Sequence, residues 1–269
     1  ASEKYDVGRM AVAPLLWDRG IRRLDLVVAT HPQQDHVGGL AFVVGKFEVG
    51  EFWTNGASRD AMFLQRLEEV LAVRRVPVRP VSSAMEDVSV GDCRAHVLNP
   101  VLSSGGGVPK SSGKHLNNQS IVIRLRCGTS AFLFTGDVER EAEAWITGKG
   151  DELEAAVLKV PHHGARGSVY PPLLGAVKPR LAVVSVGRTN TYGHPSPVML
   201  ETYAGMGIPI LRTDLHGAIT VKGTDASLQV SCESGRRLRR VKIEAGAGNT
   251  EIQNMRRLFS ELGACLVAV

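Results

Sequence analysis

The sequence predicts a mixed α/β protein with a sheet core and outer helices, and three observations lead to this class. Apolar runs of strand length recur along the chain, for example at residues 24–29 and 181–186. Segments with helical spacing of apolar residues alternate with those runs over most of the chain. Four of the runs are followed directly by glycine and polar residues, which mark turns. Strands that alternate with helices favour a layered sheet protein.

The predicted helices are recognised by the spacing of their apolar residues. In residues 6–19, Val7, Met10 and Leu15 share one side, and Asp6 precedes them where it can cap the first turn. Residues 58–73 have an apolar side of the same kind. The remaining helices are expected at residues 138–147, 170–177 and 197–206, with another after the turn at residues 37–40.

The predicted strands are short runs rich in branched and aromatic residues, bounded by turn residues. Besides residues 24–29, they are expected at residues 76–80, 93–98, 121–125, 131–135, 156–160, 181–186, 208–212, 218–221 and 228–230.

Domain organisation follows from composition along the chain. Residues 103–113 are built of Ser, Gly, Pro and Lys, which predicts a flexible loop. The strands on either side of that loop lack a complete core of their own, so we expect one domain over residues 1–233. Residues 234–269 are expected to form an appended tail, with a basic run at 236–242 and a possible helix at 252–262. A charge run is usually a solvated face, and contact with nucleic acid is the alternative.

The overall composition excludes several classes of protein. The chain has 269 residues, of which 43% are hydrophobic and 22% charged, so it is not a disordered chain. No apolar stretch approaches the roughly 20 residues that cross a bilayer. Residues 1–8 lack the basic start and apolar middle of a secretory signal, and the chain begins without Met, so we expect a piece of a longer protein. A net charge of +5 is compatible with a polyanionic partner or with solubility alone.

The four cysteines support neither a zinc site nor a redox motif. Cys93, Cys127, Cys232 and Cys265 are widely spaced and contain no CxxC pair. The redox compartment is therefore left open by the sequence.

The most informative segment is His31-Pro32-Gln33-Gln34-Asp35-His36, which directly follows a predicted strand. It concentrates two imidazoles and a carboxylate in a tight turn, and neutral imidazole with carboxylate is a common ligand set for first-row metals. The segment therefore predicts a metal site at the end of a strand. The alternative is a polar loop in which Asp35 caps the following helix and the histidines face solvent.

Three further polar clusters also end strands. Asp137 follows Thr135-Gly136, the pair His162-His163 follows Pro161, and His194 follows Tyr192-Gly193. Each cluster alone is weak, since a single His is more often structural than a ligand. Because parallel strands place their carboxyl ends along one edge, we expect these side chains to converge. The other histidines, His96, His115 and His216, have no such setting and are expected to be structural or incidental.

In their order, these motifs resemble those of the metallo-β-lactamase superfamily, whose signature is HxHxDH. A closer resemblance is to the metallo-β-lactamase-like domain of ComEC-type competence proteins, and it spans about residues 6–230. The motifs that carry it, besides the four clusters, are Arg22-Arg23-Leu24-Asp25, Asn117-Asn118-Gln119-Ser120, Leu158-Lys159-Val160, Ser185-Val186-Gly187, and Arg212-Thr213-Asp214 ahead of Gly217-Ala218-Ile219.

The resemblance implies a four-layer αββα sandwich with two divalent metal ions and hydrolytic activity. In the ComEC-type family that activity is thought to be nucleolytic, against the DNA strand that is not imported. The implied partners are DNA, single-stranded in this case, and the remainder of a polytopic bacterial inner-membrane protein. The domain would then lie on the extracytoplasmic side.

Two departures from the family pattern affect one metal position. Gln33 stands where the superfamily has its second motif histidine, and the Asn117-Asn118 segment replaces a histidine in the middle of the chain. A neutral amide holds a cation less firmly than a carboxylate does, so this weaker position could stay empty. The oxygen-rich set favours Mn²⁺ or Mg²⁺, although Zn²⁺ can also bind.

A third departure concerns the start of the fold. The family opens with a strand pair carrying a DVGQG-like motif, whereas Asp6-Val7-Gly8 is expected to begin a helix. The sandwich is therefore expected to lack its first strands and to have an unpaired sheet edge.

The resemblance implies a role for each cluster in phosphodiester hydrolysis. Asp35, His36 and His194 are assigned to the stronger metal position, His31 with Gln33 to the weaker one, and Asp137 to the bridge between them. Asp35 is also counted among the catalytic residues.

The pair His162-His163 is expected to act in catalysis. If the backbone there is extended, neighbouring side chains diverge, so both rings cannot face the site. One is expected to ligate a metal or steady the phosphate, and the other to protonate the leaving 3′ oxygen.

Five residues are candidates for contact with the substrate. Asn118 and Ser120 either bind phosphate or only close a turn. Lys159, Arg166 and Arg188 are candidates for tracking a nucleic-acid backbone at the rim.

Two other functions remain open, because one fold hosts many activities. The first is hydrolysis of small esters, thioesters, lactones or cyclic nucleotides. The second is a domain with a degenerate metal site that binds single-stranded DNA or supports a membrane channel.

Overall fold

The computed structural model describes residues 6–57, 61–101, 116–150, 152–223, 227–234 and 237–244. The chain divides into two compact units. The first unit comprises Ala1–Gly91 and Val97–Val122, and the second comprises Asp92–His96 and Ile123–Ala268. Helices and several sheets alternate along the chain, so the predicted α/β class is confirmed.

The first unit is built on a parallel sheet. Its strands are β1 (Arg23–Ala29), β2 (Glu48–Thr54) and β3 (Val78–Pro80), paired in the order β1-β2-β3. A π-helical turn at Gly8–Val12 runs directly into the first helix. The other elements of the unit are α1 (Ala13–Asp18), α2 (Gln34–Val37), α3 (Leu40–Lys46), α4 (Met62–Val73) and β4 (Val88–Val90).

Helices α3 and α4 cover this sheet because their apolar faces meet the inward side chains of β1 and β2. Val27 and Phe52 from the strands belong to one core with Val44 and Leu71 from the helices. Burial of such aliphatic and aromatic side chains stabilises each by roughly 1.5–3 kcal/mol. This core fixes the carboxyl end of β1, from which the His31–His36 segment departs.

The start of the π-helical turn lies directly against the turn after α2. A Cβ added to Gly8 would lie 2.0 Å from the backbone oxygen of Gly39. Only glycine permits such an approach of two backbones. The backbone N–H of Arg9 donates to Asp6 Oδ1 at 3.0 Å, which confirms the predicted cap. The close approach of Gly8 and Gly39 therefore packs this turn against the segment that joins α2 to α3.

The second unit contains a mixed sheet. Strands β7 to β10 are parallel to one another, and β6 is antiparallel to β7. The strands lie in the order β10-β9-β8-β7-β6-β5, where β5 and β6 belong mostly to this unit. They are β5 (Cys93–Asn99), β6 (Val122–Cys127), β7 (Ser130–Phe134), β8 (Val157–Lys159), β9 (Leu181–Val184) and β10 (Ile210–Arg212).

A second, antiparallel sheet packs against one face of this mixed sheet. Its order is β11-β12-β13, with β11 at Ala218–Gly223, β12 at Ser227–Ser234 and β13 at Arg237–Glu244. Leu181 and Leu211 of the mixed sheet share a core with Leu228 and Val230. The helices of the unit are α5 (Arg140–Gly148), α6 (Pro171–Val177), α7 (Pro197–Gly205) and α8 (Thr213–His216).

The parallel register of β7, β8 and β9 explains the position of the second unit's polar clusters. Their carboxyl ends lie at one edge of the sheet, where Asp137 follows β7 and His162 follows β8. The predicted convergence of these two clusters is therefore confirmed within this unit.

A disulfide joins Cys93, the first residue of β5, to Cys127, the last residue of β6. The sequence spacing of 34 residues contains no signal for this bond, because the two cysteines meet only through strand pairing. Of the cysteines in the described part of the chain, Cys232 is a buried thiol, and burial raises its pKa to about 11.

Most predicted elements are confirmed, with ends displaced by no more than four residues. Strands β2 and β4 and the short helices α2 and α8 have no counterpart in the prediction. The basic run expected in an appended tail forms strand β13, which pairs with β12 along its length. The domain boundary at residue 233 stays a prediction. The loop at residues 103–113 and the helix at 252–262 lie outside the described residues.

Among the helices of the described ranges, none combines the length and the apolar composition that a membrane crossing requires.

Candidate metal centre

Each unit contains one cluster of potential metal ligands, and the first unit's cluster surrounds the end of β1. The hydroxyl of Thr30 lies 3.1 Å from His31 Nδ1 and 3.3 Å from His36 Nδ1. The two ring centroids are 4.2 Å apart. Because a hydrogen bond through Nδ1 fixes the orientation of an imidazole, Nε2 is the nitrogen that each ring can present to a cation. Thr30 therefore orients both histidines together.

A buried serine contacts the same nitrogen of His31 as Thr30 does. Ser120 is fully buried, and its hydroxyl lies 3.2 Å from His31 Nδ1. The side-chain amide of Asn99 donates to the backbone oxygens of Asn118 and Ser120 at 2.9 and 2.8 Å. Ser120, predicted to bind phosphate or close a turn, is thus placed against a predicted metal ligand.

The two departures from the family pattern contact each other. Gln33 Nε2 donates to Asn117 Oδ1 at 3.0 Å. Gln33 precedes the first residue of α2 and has an extended backbone. One hydrogen bond therefore joins two of the residues that the sequence analysis connects with the weaker metal position.

Asp35 and His36 are neighbours on α2. Asp35 Oδ2 lies 4.0 Å from His36 Nε2, and the side chain of Asp35 is half exposed whereas that of His36 is largely covered. The alternative in which Asp35 caps the following helix is not seen, because α3 has Gly39 at its N-cap and no side-chain cap bond.

The second unit's cluster is centred on the carboxylate of Asp137, which is 1% exposed. Asp137 Oδ2 lies 3.2 Å from His163 Nε2 and 3.9 Å from His162 Nε2. The ammonium of Lys159 lies 3.6 Å from Asp137 Oδ1. A buried carboxylate requires compensating charge, and the ammonium of Lys159 supplies it.

Both histidines reach one carboxylate because the backbone there is not extended. His162 and His163 have left-handed dihedrals, with φ of 43° and 53°. Consecutive residues in this region curl the chain, so their side chains do not alternate as they do in a strand. The condition under which the two rings were expected to diverge is therefore not met.

The hydrogen bond of His163 determines which of its ring nitrogens carries the proton. His163 Nδ1 lies 2.6 Å from the backbone oxygen of Ser185, which can only accept, so Nδ1 donates. In the neutral ring of His163, Nε2 then presents its lone pair toward Asp137. His162 Nδ1 lies 3.1 Å from Glu139 Oε1 but without the geometry of a hydrogen bond, so this contact does not fix the tautomer of His162.

This donor set fits a divalent cation. The lone pair of His163 Nε2 faces a carboxylate oxygen of Asp137, an arrangement that repels unless a cation or proton lies between them. Ligand atoms about 2.0–2.1 Å from an octahedral ion are about 3.0 Å apart when adjacent. The 3.2 Å between Asp137 Oδ2 and His163 Nε2 matches that spacing.

His194 lies beside these residues. Its ring centroid is 5.7 Å from that of His162 and 6.0 Å from that of Tyr192. Burial lowers the pKa of His194, as do the neighbouring His162 and His163, while Asp137 acts in the opposite direction. His194 is thus held mainly as neutral imidazole, the form that can ligate a metal.

The three cationic candidates for substrate contact differ in exposure. Lys159 is buried, and its ammonium donates to the backbone oxygen of Gly136 at 3.0 Å besides pairing with Asp137. Arg166 and Arg188 are exposed. Lys159 therefore belongs to the carboxylate's surroundings, and the two arginines belong to the surface.

The sequence analysis missed two residues that orient the predicted ligands. Thr30 contacts both histidines of the first cluster, and Glu139 contacts His162. The available signal was proximity in sequence, since each lies within two residues of a predicted ligand. Of the histidines expected to be structural, His216 accepts from the backbone N–H of Arg212 at 2.9 Å, His96 lies in β5, and His115 lies outside the described residues.

Comparison with known proteins identifies two relatives of this chain. ComE operon protein 3 of Bacillus subtilis (strain 168) is 29% identical over 220 residues, which are 80% of this chain and 26% of that protein. Competence protein ComA of Neisseria gonorrhoeae is 31% identical over 227 residues, 80% of this chain and 28% of that protein. The chain thus spans about a quarter of the length of these curated relatives.

Similarity to solved structures is lower. CmlA, a diiron beta-hydroxylase from Streptomyces venezuelae, has a TM-score of 0.45 and 15% identity over 71% of this chain and 44% of that chain. The family model described as the metallo-beta-lactamase superfamily matches residues 5–188, which include Asp35, Asp137 and His163. Since the match covers more than half of the sequence, the chain belongs to the metallo-β-lactamase superfamily.

Proposed function

We propose that this chain is a metal-dependent nuclease that hydrolyses phosphodiester bonds of single-stranded DNA during DNA uptake in natural transformation. The observation that supports it most is the convergence of His162 Nε2 and His163 Nε2 on the buried carboxylate of Asp137. Superfamily membership supports a metal-dependent hydrolase in general. Relatives named as competence proteins point to DNA as the substrate.

Two divalent cations are proposed, with Mn²⁺ or Mg²⁺ favoured and Zn²⁺ possible. Asp35, His36 and His194 are assigned to the stronger position, His31 with Gln33 to the weaker one, and Asp137 to both. His163 joins these candidates, because its Nε2 lies 3.2 Å from Asp137. The hydrogen bond from Gln33 Nε2 to Asn117 leaves only the neutral oxygen of the Gln33 amide for a cation, and a neutral oxygen supports weak occupancy of the second position.

The chemistry divides between the cations and the side chains. Divalent cations at such a site supply Lewis-acid chemistry, which activates water and offsets charge on the phosphate. His162 is the proposed proton donor to the leaving 3′ oxygen, and the carboxylate of Glu139 lies 3.1 Å from its Nδ1. Asn118, Arg166 and Arg188 remain candidates for phosphate contact, whereas Ser120 and Lys159 are proposed to position His31 and Asp137.

We further propose that the domain functions as part of a larger membrane protein, on the extracytoplasmic side. The relatives are about four times longer than the matched region. The disulfide between Cys93 and Cys127 supports this location, because disulfides persist in oxidising compartments.

The test is cleavage of single-stranded DNA by the purified chain with Mn²⁺, compared with EDTA. We expect Mn²⁺-stimulated cleavage that Asp137→Ala abolishes and that Asp18→Ala, at an exposed carboxylate on α1, leaves unchanged. Intact DNA at high protein concentration with Mn²⁺ present would contradict the nuclease and favour a DNA-binding scaffold. Hydrolysis of a thioester or lactone without DNA cleavage would favour the small-ester hydrolase.

A further inference from the structure

Tyr192 is a highly exposed aromatic residue at the second unit's cluster. Its side chain is 82% exposed, yet it stacks on the imidazole of His194 with the ring planes inclined by 19°. Exposed apolar residues are common on surfaces. This one differs because one face of its ring is supported by a predicted metal ligand and the other is open.

The loop that carries Tyr192 is held in place by Asn190. The side-chain amide of Asn190 donates to the backbone oxygens of Gly187 and His194 at 3.3 and 3.0 Å, and its oxygen accepts from His194 N–H at 3.1 Å. Gly193 has φ of 71°, a left-handed conformation that glycine adopts without strain. The chain therefore turns sharply after Tyr192, which brings His194 back to its hydrogen bonds with Asn190.

The base of the loop is anchored as well. Val186 N–H donates to Thr213 Oγ1 at 2.6 Å, and that hydroxyl lies 2.7 Å from the Val186 oxygen, to which it can donate. The neighbouring backbone oxygen of Ser185 accepts from His163. The position of Tyr192 is thus preorganised, and little conformational entropy is lost when a ligand binds it.

A continuous series of rings leads from Tyr192 to the buried carboxylate. The centroids of Tyr192 and His194 are 6.0 Å apart, those of His194 and His162 are 5.7 Å apart, and His162 Nε2 is 3.9 Å from Asp137. A ligand stacked on Tyr192 therefore lies a short distance from the proposed reacting groups.

We propose that Tyr192 is a stacking platform for one base of a single-stranded nucleic acid, adjacent to the phosphodiester that is cleaved. This proposal rests on the proposed nuclease function and adds the source of its single-strand preference. Every base has a π-face, so stacking on an aromatic side chain is tolerant of sequence. In a duplex the bases already stack on one another, so an exposed tyrosine selects unpaired bases. The exposed Arg188 on the same loop can contact the backbone phosphate.

The first experiment measures binding apart from hydrolysis, in EDTA. A fluorescein-labelled oligothymidylate is compared by anisotropy with an abasic oligomer of equal length and charge. Because stacking contributes about 1–3 kcal/mol per base, we expect wild type to prefer the oligothymidylate by about 5-fold or more. Tyr192→Ala should remove that preference and Tyr192→Phe should retain it. Met62→Ala, at a similarly exposed apolar side chain on α4, should behave as wild type.

The second experiment separates this proposal from the proposed function. In Mn²⁺, Tyr192→Ala should raise the KM for oligothymidylate by about 5-fold or more with kcat unchanged. Cleavage with an unaltered KM, together with an unaltered base preference, would overturn the stacking role alone. A base preference that depends on Tyr192 in a protein that cleaves no DNA would support stacking and overturn the nuclease.

Discussion

The contact between Glu139 and His162 places a carboxylate beside the proposed proton donor. Glu139 Oε1 lies 3.1 Å from His162 Nδ1, and His162 Nε2 lies 3.9 Å from Asp137 Oδ2. A carboxylate beside an imidazole restricts the orientation of the ring. The residue is therefore expected to affect turnover although it need not touch the substrate.

We expect Glu139→Gln to lower kcat for DNA cleavage by about 10- to 100-fold with little change in KM, which is the usual effect of removing such a partner. Glu139→Asp should restore part of the loss. The matched control is Glu141→Gln, at an exposed carboxylate on the same helix. Equal losses in both variants, or a full kcat in Glu139→Gln, would contradict a positioning role.

Glu143 is a buried carboxyl of α5, and its Oε2 makes no hydrogen bond within the described part of the chain. Burial raises its pKa to about 8, with a further contribution from Glu139 and an opposing one from Arg140. Between its ordinary pKa near 4.5 and about 8, the folded state holds a proton that the unfolded state has released. Stability therefore falls as pH rises through this window.

Glu143→Gln removes this ionisation and should flatten the pH dependence of stability. We expect the free energy of unfolding of wild type to drop by at least about 1 kcal/mol relative to Glu143→Gln between about pH 5 and about pH 9. Denaturant titrations at several pH values measure it, with Glu141→Gln as the control. Parallel pH profiles for wild type and Glu143→Gln would show that the carboxyl is not buried in solution.

At the scale of elements, the turn after β8 combines backbone strain with two candidate site residues, His162 and His163. His162 and His163 both have positive φ, which costs about 1–2 kcal/mol per L-residue, and Gly164 follows with φ of 81°. A side chain at Gly164 would meet Pro195 Cβ at 2.7 Å, so the turn also packs closely against the residue after His194. Strain of this kind is maintained at functional sites by the surrounding structure.

The strain can be measured by comparing two truncations of the same side chain. His163→Gly and His163→Ala both lose the imidazole, but only glycine adopts the left-handed conformation freely. We expect His163→Gly to be more stable than His163→Ala by about 1 kcal/mol in denaturant unfolding. At the exposed helical residue Ala204 on α7, substitution by glycine should instead destabilise by about 1 kcal/mol. If glycine were less stable than alanine at both positions, the left-handed conformation of residue 163 would be refuted.

At the scale of the whole molecule, the disulfide between Cys93 and Cys127 constrains the unfolded chain. It closes a loop of 34 residues between Cys93 and Cys127. The loss of chain entropy for a loop of that length corresponds to about 3–4 kcal/mol at 25 °C. Stability should therefore depend on the redox state of the surroundings.

We expect a reductant to lower the free energy of unfolding of wild type by about 2–4 kcal/mol. The double variant Cys93→Ser/Cys127→Ser should have the lower free energy of unfolding already without reductant, and reductant should not change it. A response that persists in this variant would come from another group, such as the buried thiol of Cys232. Denaturant titrations with and without dithiothreitol measure the difference. Equal midpoints for wild type in both conditions would contradict a stabilising bond.

The sequence alone determined the α/β class, most elements and the four polar clusters, because side-chain periodicity and turn residues act over a few neighbouring positions. For that reason the helix after Asp6 and the placement of Asp137 and His162 after parallel strands could be predicted. Strand β13 could not, because its basic run becomes a strand only by pairing with β12.

Tertiary structure alone decided how the site is held. The left-handed turn at His162-His163 depends on packing around Gly164 and Pro195. The contact of Glu139 with His162 and the disulfide between Cys93 and Cys127 join residues 23 and 34 positions apart. Such contacts form because strand pairing and close packing bring distant segments together, and no local pattern in the sequence encodes them.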